Sequence, residues 1–167
     1  MITRLYADNF RCLVNFELTL GETNVFLGPN GSGKTAVLSV LSGVQRLLVR
    51  GAKIGEAFPA RDLALSQTRN EQRFEIDVQL DERAYRYALS IEHDRERRRM
   101  RIDEERLECD GQPLFAFHKG AAQLYHDDFT AGPEHPFDWS QSGVAVLHER
   151  RDNQKLTRFK RERSPVS

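Results

Sequence analysis

The chain has 167 residues, enough for one domain with a real core. Its 25 Lys and Arg balance 25 Asp and Glu, so bulk charge singles out no polyanionic partner. No apolar run approaches the ~20 residues of a membrane span, and the first residues lack the apolar stretch of a signal peptide, so a cytoplasmic, non-membrane protein is expected. Cys12 and Cys109 form no C-x-x-C and read as reduced, structural cysteines. The five histidines show no zinc-ligand spacing and read as surface loop residues.

In chain order, residues 2–9 read as a strand, and Phe10 to Leu13 as a short connection. Residues 14–20 alternate, with Val14, Phe16, Leu18 and Leu20 on one face. After a turn at 21–23, residues 24–27 read as the next strand, leading into Gly28-Pro29-Asn30-Gly31-Ser32-Gly33-Lys34-Thr35. This fits the phosphate-binding pattern G-x-x-x-x-G-K-[ST]. Gly28, Gly31 and Gly33 can take positive φ, so the backbone can curl with its N–H groups inward, forming a nest suited to phosphate oxygens. A helix from about Gly33 to Arg50 adds the positive end of its dipole, and Gly51 is a fitting C-cap. In this pattern Lys34 reaches the β- and γ-phosphates and the Thr35 hydroxyl binds Mg²⁺. The plain alternative is a glycine-rich strand-to-helix turn that holds nothing.

Between 52 and 70 the pattern weakens, and 61–68 reads as a short helix or a linker. A meander follows. Phe74, Ile76, Val78 and Leu80 alternate with polar residues, then Tyr85, Tyr87, Leu89 and Ile91 do the same. Met100, Ile102 and Leu107 suggest a third strand before the hairpin signal Asp110-Gly111. Residues 114–117 and 123–125 suggest a further hairpin across Lys119-Gly120. Residues 127–142 read as a polar loop, and the apolar segment from Val144 as helical. Residues 153–161 read as an amphipathic helix with Leu156 and Phe159 inward, followed by a fraying tail. The expected division is a lobe over 1–150 and a basic helix with its tail over 151–167.

The run Asn9-Phe10-Arg11-Cys12, then Phe16-Glu17-Leu18, then Asn24 through Thr35 resembles the start of an ATP-binding-cassette ATPase head. The similar branch is the SMC, RecF and SbcC type, with the OLD-like AAA family ATPases. The resemblance implies an α/β P-loop NTPase first lobe, with a phosphate-loop helix and a mostly antiparallel meander sheet. It implies ATP and Mg²⁺ as cofactors. Gly28, Pro29, Asn30, Gly31, Ser32, Gly33, Lys34, Thr35 and Ala36 would form the nucleotide-binding set. Arg11 would touch the phosphates, Asn30 would sit beside the γ-phosphate, and Lys34 would act in catalysis. The family also has a glutamine that reaches Mg²⁺ and the attacking water, and Gln141 is the candidate.

The chain departs from that pattern in two places. No run of four apolar residues followed by Asp-Glu occurs; 144–149 is the nearest and lacks the Asp. Leu41-Ser42-Gly43 only imitates the family's Leu-Ser-Gly-Gly signature and reads as core packing. The resemblance therefore covers the first lobe of a head, and the implied partners are a C-terminal lobe or second head, with DNA as a further partner. The basic run 95–101 reads either as a solvated hairpin with cross-strand ion pairs or as a DNA-backbone contact, and the basic residues of 155–163 as a weak, salt-dependent attraction for polyanions. The rival readings are a small stand-alone P-loop kinase or GTPase, for which no Asn-Lys-x-Asp motif exists, and a non-catalytic interaction module with a vestigial phosphate loop.

Overall fold

The structure is a computed structural model that describes residues 1–97 and 99–161. Its frame is one eight-stranded antiparallel sheet in the order β2-β1-β3-β4-β5-β6-β7-β8. The strands are β1 (Ile2–Asp8), β2 (Phe16–Thr19), β3 (Glu71–Leu80), β4 (Arg83–Asp94), β5 (Arg99–Cys109), β6 (Gln112–His118), β7 (Ala121–Tyr125) and β8 (Ala131–Pro136). The helices are α1 (Lys34–Arg50), α2 (Ile54–Ala57), α3 (Gly143–Val146) and α4 (Gln154–Arg161). From β3 onward each strand pairs with the next in sequence, as alternation and the turn residues predict. Asp110 and Gly111 supply positive φ at one corner, and Lys119 and Gly120 at the next.

The core forms where α1 meets the sheet. Ala36, Val37, Val40, Val44, Leu47 and Leu48 recur at helical spacing and are buried. Gly51 caps α1 in the left-handed conformation, its N–H reaching the Arg46 carbonyl. Phe58 stacks on Phe74 at 4.3 Å, and Phe10 meets both rings edge-on. Gly43 lies under Phe58, so Leu41-Ser42-Gly43 belongs to this packing. On α4, Leu156 and Phe159 are buried, and Phe159 stacks on Tyr85.

The structure corrects several expectations. Residues 24–27 belong to no strand. A strand exists through its neighbours, and β2 at the sheet edge pairs only with β1. Val25 and Leu27 are accordingly 74% and 87% exposed. The strand expected over 14–20 shrinks to Phe16–Thr19, because Asn15 takes positive φ. The loop expected over 127–142 contains β8, with Pro133 and Pro136 on an edge strand. There the outward side of the ladder needs no donor, so proline is tolerated. Within the weak region 52–70, α2 is helical, and of the short helix expected over 61–68 the structure has one 3-10 turn, Ala60–Asp62. His93 is buried rather than a surface residue, and Cys12 is exposed. The tail expected to fray, 162–167, lies outside the described residues. Among the described residues no helix is long and apolar enough to cross a membrane.

A buried polar network joins β1, β3 and β4. The Asn9 amide donates to the carbonyls of Arg69 and Glu71 at 2.9 and 2.8 Å, and its oxygen accepts from the Ala64 N–H. Gln72, fully buried, donates to the carbonyls of Asn9 and Asp62 at 3.0 and 3.3 Å. Its amide nitrogen is thereby committed, so its oxygen faces His93 Nε2 at 2.9 Å. His93 Nε2 must carry the proton, and Nδ1 is left without a partner. Burial, then the nearby Arg95 charge, pulls the His93 pKa down to about 4.

Two outcomes follow from this packing. Gly43→Ala gains ~1 kcal/mol of helix propensity. The new Cβ, however, would lie 2.7 Å from the Phe58 ring and 3.1 Å from the Ala57 carbonyl. Phe58 is fully buried and cannot swing away, so overpacking of ~1–3 kcal/mol wins and the urea midpoint falls. For His93, the unfolded chain binds the extra proton between pH 6.5 and about 4 while the folded chain does not. Stability is therefore complete above pH 6.5 and declines as pH falls, by up to ~3 kcal/mol. Urea titrations across that range read the decline, and His93→Gln flattens it.

Candidate functional site

The turn after β1 and the loop before α1 meet at one place. Gly31 and Gly33 take φ of 87° and 93°, a region open to glycine, and Gly33 begins α1 with no side-chain cap. The first amides of α1 therefore have no side chain to accept from them. Lys34 Nζ folds back across the loop and donates to the carbonyls of Gly28 and Pro29 at 2.6 and 2.7 Å and to Ser32 Oγ at 3.1 Å. The ammonium is thus held against the loop by the loop's own oxygens. Asn30 and Thr35 are exposed, and the Thr35 hydroxyl makes no hydrogen bond among the described residues. Ala36 is buried in the first turn and anchors the loop to the core.

Arg11 stands close to this loop through α1. Its backbone takes positive φ, and its N–H donates to the Asp62 carbonyl at 2.7 Å. Its guanidinium holds the Asp62 carboxylate at 3.0 Å and donates to Ser39 Oγ at 2.7 Å. Ser39 Oγ in turn donates to the Thr35 carbonyl at 2.7 Å, so two hydrogen bonds separate Arg11 from Thr35. The neighbouring Cys12 thiol packs against Gly33, 3.4 Å from where a Cβ would stand. Any side chain at Gly33 would meet both that thiol and a disfavoured φ.

Among the described residues no hydrogen bond joins Gln141 to residues 28–35. Its segment is nevertheless firmly held. The Ile54 N–H donates to the Ser140 carbonyl and the Ile102 N–H to the Trp139 carbonyl, both at 2.8 Å. Glu105, buried in β5, accepts from the Tyr87 hydroxyl at 2.8 Å, the Gly143 N–H at 2.7 Å and the Ser142 hydroxyl. Burial pushes the Glu105 carboxyl above its ordinary range, against the pull of these donors. Residues 143–146 form α3 rather than an apolar strand ending in acids. Glu149, in the nearest run to such a strand, pairs with Arg161 at 3.0 Å.

Sequence reasoning had missed Asp62, Glu105 and the Gln72–His93 pair. Asp62 lies 51 residues from Arg11, and no periodicity reports such a pairing. Glu105 sits in an acidic run, Asp103-Glu104-Glu105, that looks solvated. Its parity with the inward Leu107 and Cys109 was the available signal.

Comparison with known proteins bears on residues 23–141, which match the family model AAA_21, described as "AAA domain, putative AbiEii toxin, Type IV TA system". The chain is similar to the OLD nuclease of Thermus scotoductus, 46% identical over 41 residues, covering 25% of this chain and 8% of that protein. It is also similar to a phosphonates import ATP-binding protein, PhnC 1, of Haloquadratum walsbyi, 38% identical over 56 residues, covering 32% of this chain and 18% of that protein. The chain thus spans under a fifth of the length of either relative. The family match takes in the phosphate loop, α1 and the meander up to Gln141, and the chain belongs to this AAA-domain family of ABC-type ATPases.

Proposed function

We propose that this chain is the nucleotide-binding lobe of an SMC/RecF-type ATPase, working in DNA repair or phage defence. The observation that carries the reading is the loop 28–35, with three glycines at positive φ and a 17-residue helix without a side-chain cap behind it. The amides of such a helix start favour an anion. Mg²⁺ and ATP fit the residues present: the Thr35 hydroxyl is exposed, and the Lys34 ammonium already lies against the loop. When bound, Mg²⁺ would neutralise charge on the transferring phosphoryl group. Lys34 would exchange its bonds to the Gly28 and Pro29 carbonyls for phosphate oxygens. Arg11, held beside α1 by Asp62, would face the phosphates, and Asn30 would border the γ-phosphate.

Hydrolysis also needs an acidic metal ligand and a group to polarise water. Residues 28–36 supply neither. Gln141 cannot serve as a base, although it can orient a water from its anchored segment. We infer that a second lobe or second head supplies both, docking where residues 24–27 leave Val25 and Leu27 in solvent.

Two measurements test the reading on residues 1–167. Isothermal titration with Mg·ATP is expected to show binding that Lys34→Ala weakens by ~10- to 150-fold, the value of a charge-assisted contact of ~1.5–3 kcal/mol. Equal affinities would overturn it. Steady-state phosphate release is expected to stay at the level of the Lys34→Ala control. Binding without transition-state groups lowers both states alike and leaves the barrier in place. Turnover near ~1 s⁻¹, lost in Lys34→Ala, would show that the lobe holds its own base.

A further inference from the structure

Beyond the phosphate loop, a cavity of about 460 Å³ opens between the segment 60–67 and the β4–β5 hairpin. That volume lies in the range of small-molecule sites. Its wall includes Arg61, Arg95 and Arg99. Elsewhere on this net-neutral chain arginines hold carboxylates: Arg4 holds Glu17 and Glu75, Arg11 holds Asp62, Arg69 holds Asp8, Arg86 holds Asp77, and Arg101 holds Glu92. Among the described residues Arg61 and Arg99 are exposed with no carboxylate partner, and Arg95 reaches only backbone carbonyls such as that of Arg69 at 3.3 Å. The one carboxylate in the wall, Asp94, is engaged by the Arg97 N–H at 2.9 Å. One carboxylate against three guanidiniums leaves the wall net positive, which disfavours a metal ion and favours a phosphate group.

A second observation sharpens the ligand. His93 also lines this cavity, is 2% exposed, and has an Nδ1 with no partner. Since Gln72 fixes the proton on Nε2, Nδ1 is a bare acceptor. Inorganic phosphate keeps an O–H donor of its own at neutral pH, so what favours a larger ligand is the apolar wall of Leu63 and Leu65 beside the arginines. A nucleotide has N–H and O–H donors as well as a phosphate, and its flat base would cover Leu63 and the fully exposed Leu65. Contact with Nδ1 requires the segment 63–67 to yield. That segment is tied to the β1 end by the Ala64 N–H, 3.2 and 3.4 Å from the Asn9 side-chain and backbone oxygens, and by the Phe10–Leu63 bridge.

We propose that this cavity is a second nucleotide site, separate from the phosphate loop, taking one nucleotide unit with its phosphate on Arg61, Arg95 and Arg99 and a donor on His93. The unit can be a free nucleoside monophosphate or part of a single strand of nucleic acid. The test uses residues 1–167 carrying Lys34→Ala, so that failure here leaves the ATP reading untouched. AMP and a twelve-residue oligo(dT) are titrated separately by calorimetry, and the His93 ring nitrogens are followed by NMR. The expected result is binding that moves the Nδ1 resonance and weakens at least tenfold when Arg61→Ala and Arg99→Ala are combined. Both arginines are exposed, so the variant keeps its fold. Oligo(dT) binding at least tenfold tighter than AMP assigns the site to a strand, and comparable or weaker binding assigns it to the free nucleotide. Absence of binding by both probes, affinity indifferent to the two arginines, or an unmoved Nδ1 resonance overturns the proposal.

Discussion

One buried amide, the side chain of Asn9, holds together the region on which the candidate site depends. It sits at positive φ where β1 ends, a conformation that asparagine tolerates better than most residues. Its amide and carbonyl together bind three backbone groups of the segment 64–71. Gln72 clamps the Asn9 backbone carbonyl from β3. Every donor and acceptor of that side chain faces backbone, so an apolar replacement would strand several buried groups at once. The turn that carries Arg11 and Cys12 is fixed in space because Asn9 is.

From that point the arrangement spreads outward by charge. Arg11 bridges Asp62 and Ser39, which ties the 3-10 turn to the second turn of α1. The same Asp62 carbonyl accepts from Arg11 N–H and from Gln72. The phosphate loop and the cavity lined by His93 therefore share one hydrogen-bonded frame, through Gln72, Asp62, Arg11 and Ser39. An exposed ion pair in isolation contributes little. Arg11 and Asp62 matter because backbone bonds on both sides hold their geometry.

The meander was legible because its strands are half-buried and adjacent: Phe74 to Leu80 and Tyr85 to Ile91 write their burial into alternation. Helix α1 was legible from its apolar spacing and from Gly51. The loop 28–35 was legible because few residue types suit such a backbone. What escaped depends on distant partners. Residues 24–27 look like a strand because Val25, Phe26 and Leu27 are apolar, yet among the described residues no strand pairs with them. Strand β8 looks like a loop because edge position relaxes the rule against proline. Asp62, Glu105 and His93 owe their settings to residues 18 to 51 positions away, a distance at which local pattern carries no information.

The topology also orders events in time. From β3 to β8 each pairing joins neighbours across a short turn, the kind of contact formed within microseconds. The pairing of β1 with β3 instead joins residues about 71 positions apart, as Arg4 meets Glu75. Closing that loop costs ~1.7 kcal/mol more than closing one of about ten residues, since the penalty grows with the logarithm of length. The phosphate loop and α1 lie inside it. During synthesis β1 and β2 can pair across their short connection, but the other edge of β1 waits open until β3 exists. The costliest of these closures is thus the one that assembles the Asn9 turn against α1.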